Sequence, residues 1–254
     1  MHGLILAAGR GSRMGVLGDE RPKCLVELEG RPLLERQVAA LRRGGADSVG
    51  VVRGYRADRL QFPQLTYFDN PRWSETNMVM SLVAAAEWLR AHNVVVSYAD
   101  IFYRADVIDG LSNTPGSLAI SYDRQWRDLW TRRFSDPLAD AETFRVGPTG
   151  QLLEIGGKTT RIEEIEGQYM GLLKFTPEAW GVVEALLDTL DAPVRDRLDM
   201  TALLKRLIAT SALKVATYAT DGQWGEIDNP DDVRLYEEMI QEGGLRLEAC
   251  EPLS

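Results

Sequence analysis

The stretch Leu4-Ile5-Leu6-Ala7-Ala8-Gly9-Arg10-Gly11-Ser12-Arg13-Met14, with Arg21-Pro22-Lys23 close behind it, decides the fold. An apolar strand that runs into small residues lets the backbone turn tightly, and glycines let its N–H groups come close to an anion. Arg10, Arg13 and Lys23 bring positive charge to the same mouth, so the stretch reads as a phosphate cradle. Gly9 and Gly11 alone would suit an ordinary strand-to-helix turn. The G-x-x-x-x-G-K-[ST] spacing of a P-loop is absent, and Met14 stands where a Rossmann G-x-G-x-x-G carries its third glycine.

Outward from this stretch, apolar residues at helical spacing follow Pro32 as far as Leu41, and Gly44-Gly45 stops them. Residues 48–52 form the next strand, so the chain opens with a β-α-β unit whose strands should be parallel with a right-handed crossover. Further strands are expected at 65–68 and 94–98, with a helix at 81–89 between them. From Leu118 the pattern changes to strands at 118–122, 143–146, 152–155 and 169–175, read as extending the sheet and building an acceptor-side lobe. Helices at 177–190 and 200–209, a strand at 213–218 and a helix from Pro230 to Gln241 complete the pattern. The expectation is an α/β fold of one domain over residues 1–242, with a β-rich insertion near 118–175 and a C-terminal extension at 243–254.

The 254 residues are 44% apolar, enough for a substantial core. A net charge of −9 without any long basic run argues against nucleic acid as the main partner. Cys24 and Cys250 fit neither a disulfide framework nor a zinc pattern, and Cys24 reads as a small buried residue opening a strand over 24–28. His2 reads as terminal and solvated, and His92 as ending a helix. No apolar run approaches the roughly 20 residues of a membrane span, so a cytoplasmic protein without a membrane partner is expected.

Two acidic positions carry chemistry. The strand at 94–98 delivers Asp100 to the sheet edge where the glycine loop emerges, the edge at which ligands of open α/β sheets bind. Read alone, Asp100 could be a turn aspartate; beside the loop it is a candidate Mg²⁺ ligand. In Trp224-Gly225-Glu226-Ile227-Asp228-Asn229-Pro230-Asp231-Asp232, Asn229 suits a cap and Asp231-Asp232 a helix start. Glu226 and Asp228 alternate onto one face of an extended segment, so both are solvated or both serve one charged centre.

The opening string resembles the signature of nucleotidyltransferases, LAAGxGxRM followed by PKxL. The resemblance implies a Rossmann-like, mostly parallel mixed sheet flanked by helices, of the nucleotide-diphospho-sugar transferase type. It also implies that Leu6, Ala7, Ala8, Gly9, Gly11 and Ser12 wrap a triphosphate, that Arg13 and Lys23 neutralise it, and that Asp228 completes a metal site with Asp100, assisted by Glu226. Thr76-Asn77-Met78-Val79-Met80-Ser81-Leu82 is similar to the TNMxxSL segment of the branch that includes phosphocholine and aminoethylphosphonate cytidylyltransferases. Thr76, Asn77 and Ser81 suit a helix start equally well; the resemblance makes them candidates for holding the nucleoside.

Segments around Asp123, Trp126, Trp130, Arg132, Arg133, Lys158, Glu166 and Tyr169 resemble the same subgroup, which includes CTP:phosphoglutamine cytidylyltransferases, and are the acceptor candidates. Trp126, Trp130 and Tyr169 would suit the cage of a choline cation, whereas Arg132, Arg133 and Lys158 favour an acceptor with a carboxylate; Lys158 could also serve the α-phosphate. The implied reaction is Mg²⁺-assisted transfer of CMP from CTP to a small phosphate or phosphonate with release of pyrophosphate, and a homodimer is compatible with it. The alternatives are a sugar-1-phosphate nucleotidyltransferase using another nucleotide and a catalytically silent nucleotide-binding regulator.

Overall fold

The computed structural model describes residues 1–11 and 21–253. Seven strands make the main sheet: β1 (His2–Ala7), β2 (Ser48–Arg53), β3 (Thr66–Asp69), β4 (Val94–Tyr98), β5 (Leu118–Asp123), β6 (Gln168–Phe175) and β7 (Val215–Thr220). Their spatial order is β7-β5-β6-β4-β1-β2-β3. All neighbours are parallel except β6, which runs antiparallel to both β4 and β5. The fold is thus the expected mostly parallel mixed sheet. β1 lies between β2 and β4, and its apolar residues are fully covered because helices close both faces of such a sheet.

Helices α1 (Leu33–Arg43), α2 (Met78–Val83), α3 (Ala86–Ala91), α4 (Ala105–Asn113), α5 (Trp126–Arg133), α6 (Pro177–Asp188), α7 (Ala192–Asp196), α8 (Met200–Ala209) and α9 (Pro230–Gln241) surround it. Local chemistry sets their starts. Asp199 accepts a bond from the Ala202 amide at α8, and Asn229 with Asp232 forms a capping box at α9. Among the described residues no helix is long and apolar enough to cross a membrane.

Several expectations need correction. Residues 24–28 are not one strand: Lys23–Leu25 is a 3₁₀ turn, and only Glu27–Leu28 pairs, with Arg31–Pro32. The turn buries Cys24 completely and turns Lys23 inward. The helix expected at 81–89 is two, because Ala84 and Ala85 bond back to Ser81 and Leu82 in a tighter turn. Phe144–Val146 and Leu152–Ile155 form their own antiparallel ribbon and do not extend the sheet. The insertion also contains α5, whose two tryptophans and three arginines mask its helical period in the sequence. His2 is part of β1, stacked against Trp88 and His92 at 4.6 and 4.1 Å between ring centres. The extension after α9 folds back on the body: Leu245 is buried, Glu248 accepts from the Ala105 amide, and the Leu253 amide donates to Glu35.

Candidate active site

The carboxyl ends of β1 and β4 open into one cavity of about 290 Å³. Leu6, Ala7, Ala8, Gly9, Gly11 and Lys23 form one wall; Thr76, Asn77, Met78 and Ser81 the opposite one; Tyr98, Ala99 and Asp100 the floor. The parallel register of β1 with both neighbours makes these loops emerge together. Gly11 has φ +68, and a Cβ there would sit 3.0 Å from Lys23 Cβ, so the position needs glycine both for its backbone and for the lysine stem beside it. Ser12 and Arg13 lie outside the described residues.

Lys23 Nζ donates to Asp100 Oδ2 and to Asp228 Oδ1, each at 2.8 Å. Burial opposes the ammonium, but the two carboxylates outweigh it and hold its pKa above the ordinary lysine value. Asp228 reaches Asp100 because Gly225–Glu226 pairs antiparallel with Ile101–Phe102 and the Ile227 amide donates to Asp100 O at 2.8 Å. Carboxylate oxygens of Asp100, Glu226 and Asp228 lie within 4.8 Å of one another. Burial first, then the Asp100 and Asp228 charges, push the Glu226 carboxyl up to about 8. Asp100 Oδ1 is buried with no hydrogen-bond partner among the described residues. An orphaned carboxylate oxygen within a set of hard oxygen donors fits Mg²⁺, which takes one or two protein carboxylates beside phosphate oxygens.

In the sequence Arg133 reads as a partner for an anionic acceptor. Its side chain is instead 1% exposed and is spent on this cluster: Nε lies 3.0 Å from Asp232 Oδ1, Nη1 3.4 Å from Glu226 and Nη2 3.4 Å from Asp228. Burial opposes its charge, yet Tyr236, Asp232 and Glu226 overcome that and raise its pKa. Asp232, which the sequence presents only as a helix-start acid, also accepts from the Asp228 amide at 2.8 Å and so fixes the backbone of the neighbouring carboxylate.

Several of the other acceptor candidates are engaged in contacts within the protein. Trp126 and Trp130 are buried, Trp130 Nε1 donates to Asp140, and the Trp130 ring stands 6.1 Å from that of Trp224, so neither can line a cage. Asp123 is 1% exposed and accepts from the Gln125 and Gly222 amides and from Trp224 Nε1, which leaves it no free role at an acceptor. Arg132 points outward to Glu242 at 3.1 Å. Glu166 accepts from the Val146 amide, and exposed Lys158 donates to Asp140 O at 3.2 Å. Tyr169 stands edge-on to Tyr98, 5.8 Å between ring centres, next to the cavity floor.

On the nucleoside side, Ser81 and Thr76 hydroxyls accept from Asn70 Nδ2 at 3.1 and 3.2 Å. Asn77 Oδ1 caps Met78 N and its Nδ2 donates to Arg197 O, so the amide chiefly joins α2 to the chain before α8. Trp73 lines the same wall and was not singled out from the sequence. A Cβ on Gly54 would meet Trp73 Cβ at 2.6 Å and Ala8 O at 2.7 Å, so Gly54 is what lets this indole stand against the loop.

Comparison with known proteins identifies the family. The CTP:phosphoglutamine cytidylyltransferase of Campylobacter jejuni is 34% identical over 251 residues, covering 92% of this chain and 98% of that one. The 2-aminoethylphosphonate cytidylyltransferase of Lancefieldella rimae is 30% identical over 105 residues, 39% of this chain and 43% of its own. Among solved structures, the inositol-1-phosphate CTP transferase of T. maritima superposes with a TM-score of 0.72 at 17% identity, over 95% of this chain and 96% of that one. Residues 3–142, which carry the glycine loop, Lys23 and Asp100, match the MobA-like NTP transferase domain, and the chain belongs to that family of nucleotidyltransferases.

Proposed function

We propose that the protein transfers CMP from CTP to a small phosphate or phosphonate acceptor with release of pyrophosphate, and that phosphoglutamine is the first acceptor to test. The observation that carries the proposal is Lys23 Nζ, 2.8 Å from both Asp100 and Asp228 beside a loop-walled cavity. The length of the likeness to the Campylobacter jejuni enzyme supports cytidine as the base and a phosphorylated amino-acid amide as the acceptor.

In this reading the loop around Gly9 and Gly11 receives the triphosphate, and Lys23 faces its charge from the inner side. Asp100 and Asp228 hold Mg²⁺, with Glu226 beside them. When bound, the cation neutralises charge on the phosphates as it shifts during displacement. An acceptor phosphate oxygen is already ionised at neutral pH, so attack on the α-phosphorus needs no general base; the protein's part is to align acceptor and leaving pyrophosphate. The Tyr98–Tyr169 side of the floor is where the acceptor would approach.

A matrix of four nucleoside triphosphates against phosphoglutamine, phosphocholine, 2-aminoethylphosphonate and sugar phosphates, read by pyrophosphate release with and without Mg²⁺, tests the proposal. CTP with an amino-acid or phosphonate acceptor should exceed every other pair. Equal turnover of ATP, GTP, UTP and CTP would refute the cytidine assignment, and preference for a sugar phosphate would refute the acceptor class.

A further inference from the structure

Gln37 occupies a core position of α1. Leu34, Val38 and Leu41 lie on the same helical stripe and are buried, and Gln37 among them is 1% exposed. Its Oε1 has no hydrogen-bond partner among the described residues. An amide with a buried orphan acceptor is a poor choice for packing alone, since an apolar side chain of similar volume would leave no polar group unpaired.

What the amide does is on its other side. Nε2 donates to Tyr98 O at 2.8 Å and to Ile101 O at 2.6 Å. These two carbonyls flank Ala99 and Asp100, the two-residue turn between β4 and the short strand Ile101–Phe102. One donor group therefore closes the turn across its base and fixes where Asp100 leaves the sheet. The same turn carries the opposite half of the cluster, because Asp100 O accepts from Ile227 and Ile101 pairs with Glu226.

We infer that Gln37 is a positioning residue that sets the spacing of Asp100 relative to Glu226 and Asp228; the inference rests on the reading of those carboxylates as the Mg²⁺ site. Outer partners of metal ligands act in this way, by holding the ligand's backbone and orientation with no contact to the ion or substrate.

The test compares Gln37→Met, which keeps the volume and removes the donor, with Val38→Ala, which opens the same helix face without touching the turn. Amide hydrogen exchange of the metal-free proteins should be about tenfold faster at residues 99–102 and 225–228 in Gln37→Met, and unchanged at β2. Its kcat should fall by about 10- to 100-fold, its KM for CTP should stay within about threefold, and half-activation should need several-fold more Mg²⁺. Val38→Ala should lower the melting temperature with none of these changes. If Gln37→Met fails to fold, Gln37→Asn, whose shorter amide cannot span both carbonyls, takes its place in the same comparison. A Gln37 variant matching Val38→Ala in exchange, kcat and Mg²⁺ dependence overturns the inference. An Asp100→Ala protein that keeps full activity overturns the underlying metal-site reading instead, so the two failures are told apart.

Discussion

Lys23 and Asp228 lie 205 positions apart in the chain and meet at 2.8 Å, with Asp100 at the same distance on the other side of the ammonium. Three parts of the fold converge on that one nitrogen: the turn after the glycine loop, the end of β4 and the strand before α9. Two neighbouring carboxylates repel each other, and Lys23 is the cation that both of them contact in a partly buried site, with Arg133 on the far side of Asp228.

Replacing Lys23 by Met should therefore do two things. It should lower kcat by about 10²–10³, the usual loss when a charge that faces a reacting phosphate is removed. It should also lower the melting temperature in chelator, and added Mg²⁺ should recover more stability in the variant than in the wild type, because Asp100 and Asp228 then lack the cation they share. Calorimetric melts with EDTA and with MgCl₂ measure both.

Arg133→Met leaves Glu226, Asp228 and Asp232 without their shared guanidinium. Removing one partner of a buried charge network costs about 3–5 kcal/mol, visible in urea unfolding. If Arg133 were an acceptor-binding group, KM for the acceptor would rise with stability unchanged. The contacts instead predict a loss of stability and of kcat, with little recovery in Arg133→Lys, whose single ammonium cannot reach three carboxylates at once.

Trp130→Phe should leave the acceptor KM within about twofold while lowering stability, and Trp130→Ala should cost about 3–5 kcal/mol, because the ring fills the core between α5 and Trp224. A selective rise in acceptor KM for either variant would restore the cage reading.

Burial pushes the Cys24 thiol up to about 12, with the Asp100 charge adding to the effect. The folded protein thus keeps this proton through a range where the unfolded chain, near 8.5, has lost it. Stability should be unaffected below that value and should fall with pH from about 8.5 to 12, by up to about 1.4 kcal/mol per unit. Cys24→Ser should flatten this part of the stability profile. At pH 8 iodoacetamide should label the half-exposed Cys250 and spare Cys24 until the protein is unfolded.

The cavity is largely legible in the sequence. Leu6, Ala7, Ala8, Gly9, Gly11, Lys23, Thr76, Asn77, Ser81 and Asp100 all line it, because each sits at or just past a strand end, in the turn that follows the glycine loop or at the start of α2, where short-range patterns place it. The acceptor side was not. Trp126, Trp130, Asp123 and Arg133 look like a recognition set in the sequence, since aromatic and charged residues alternate there. Three-dimensional packing turns the tryptophans inward, gives Asp123 three N–H donors and sends Arg133 into the acidic cluster.

What the sequence determined by itself is local: a strand, a glycine turn of positive φ, a following lysine and the repeated β-α-β pattern that forces parallel strands to open their loops at one edge. Backbone sterics and hydrophobic periodicity act over a few residues and can be read from them. Only the tertiary structure decided which charges pair. The partners Lys23 with Asp228, Arg133 with Asp232 and Gln37 with the turn at Asp100 are distant in the chain. Burial there makes an unpaired charge costly, and only the packed fold shows which partner is within reach.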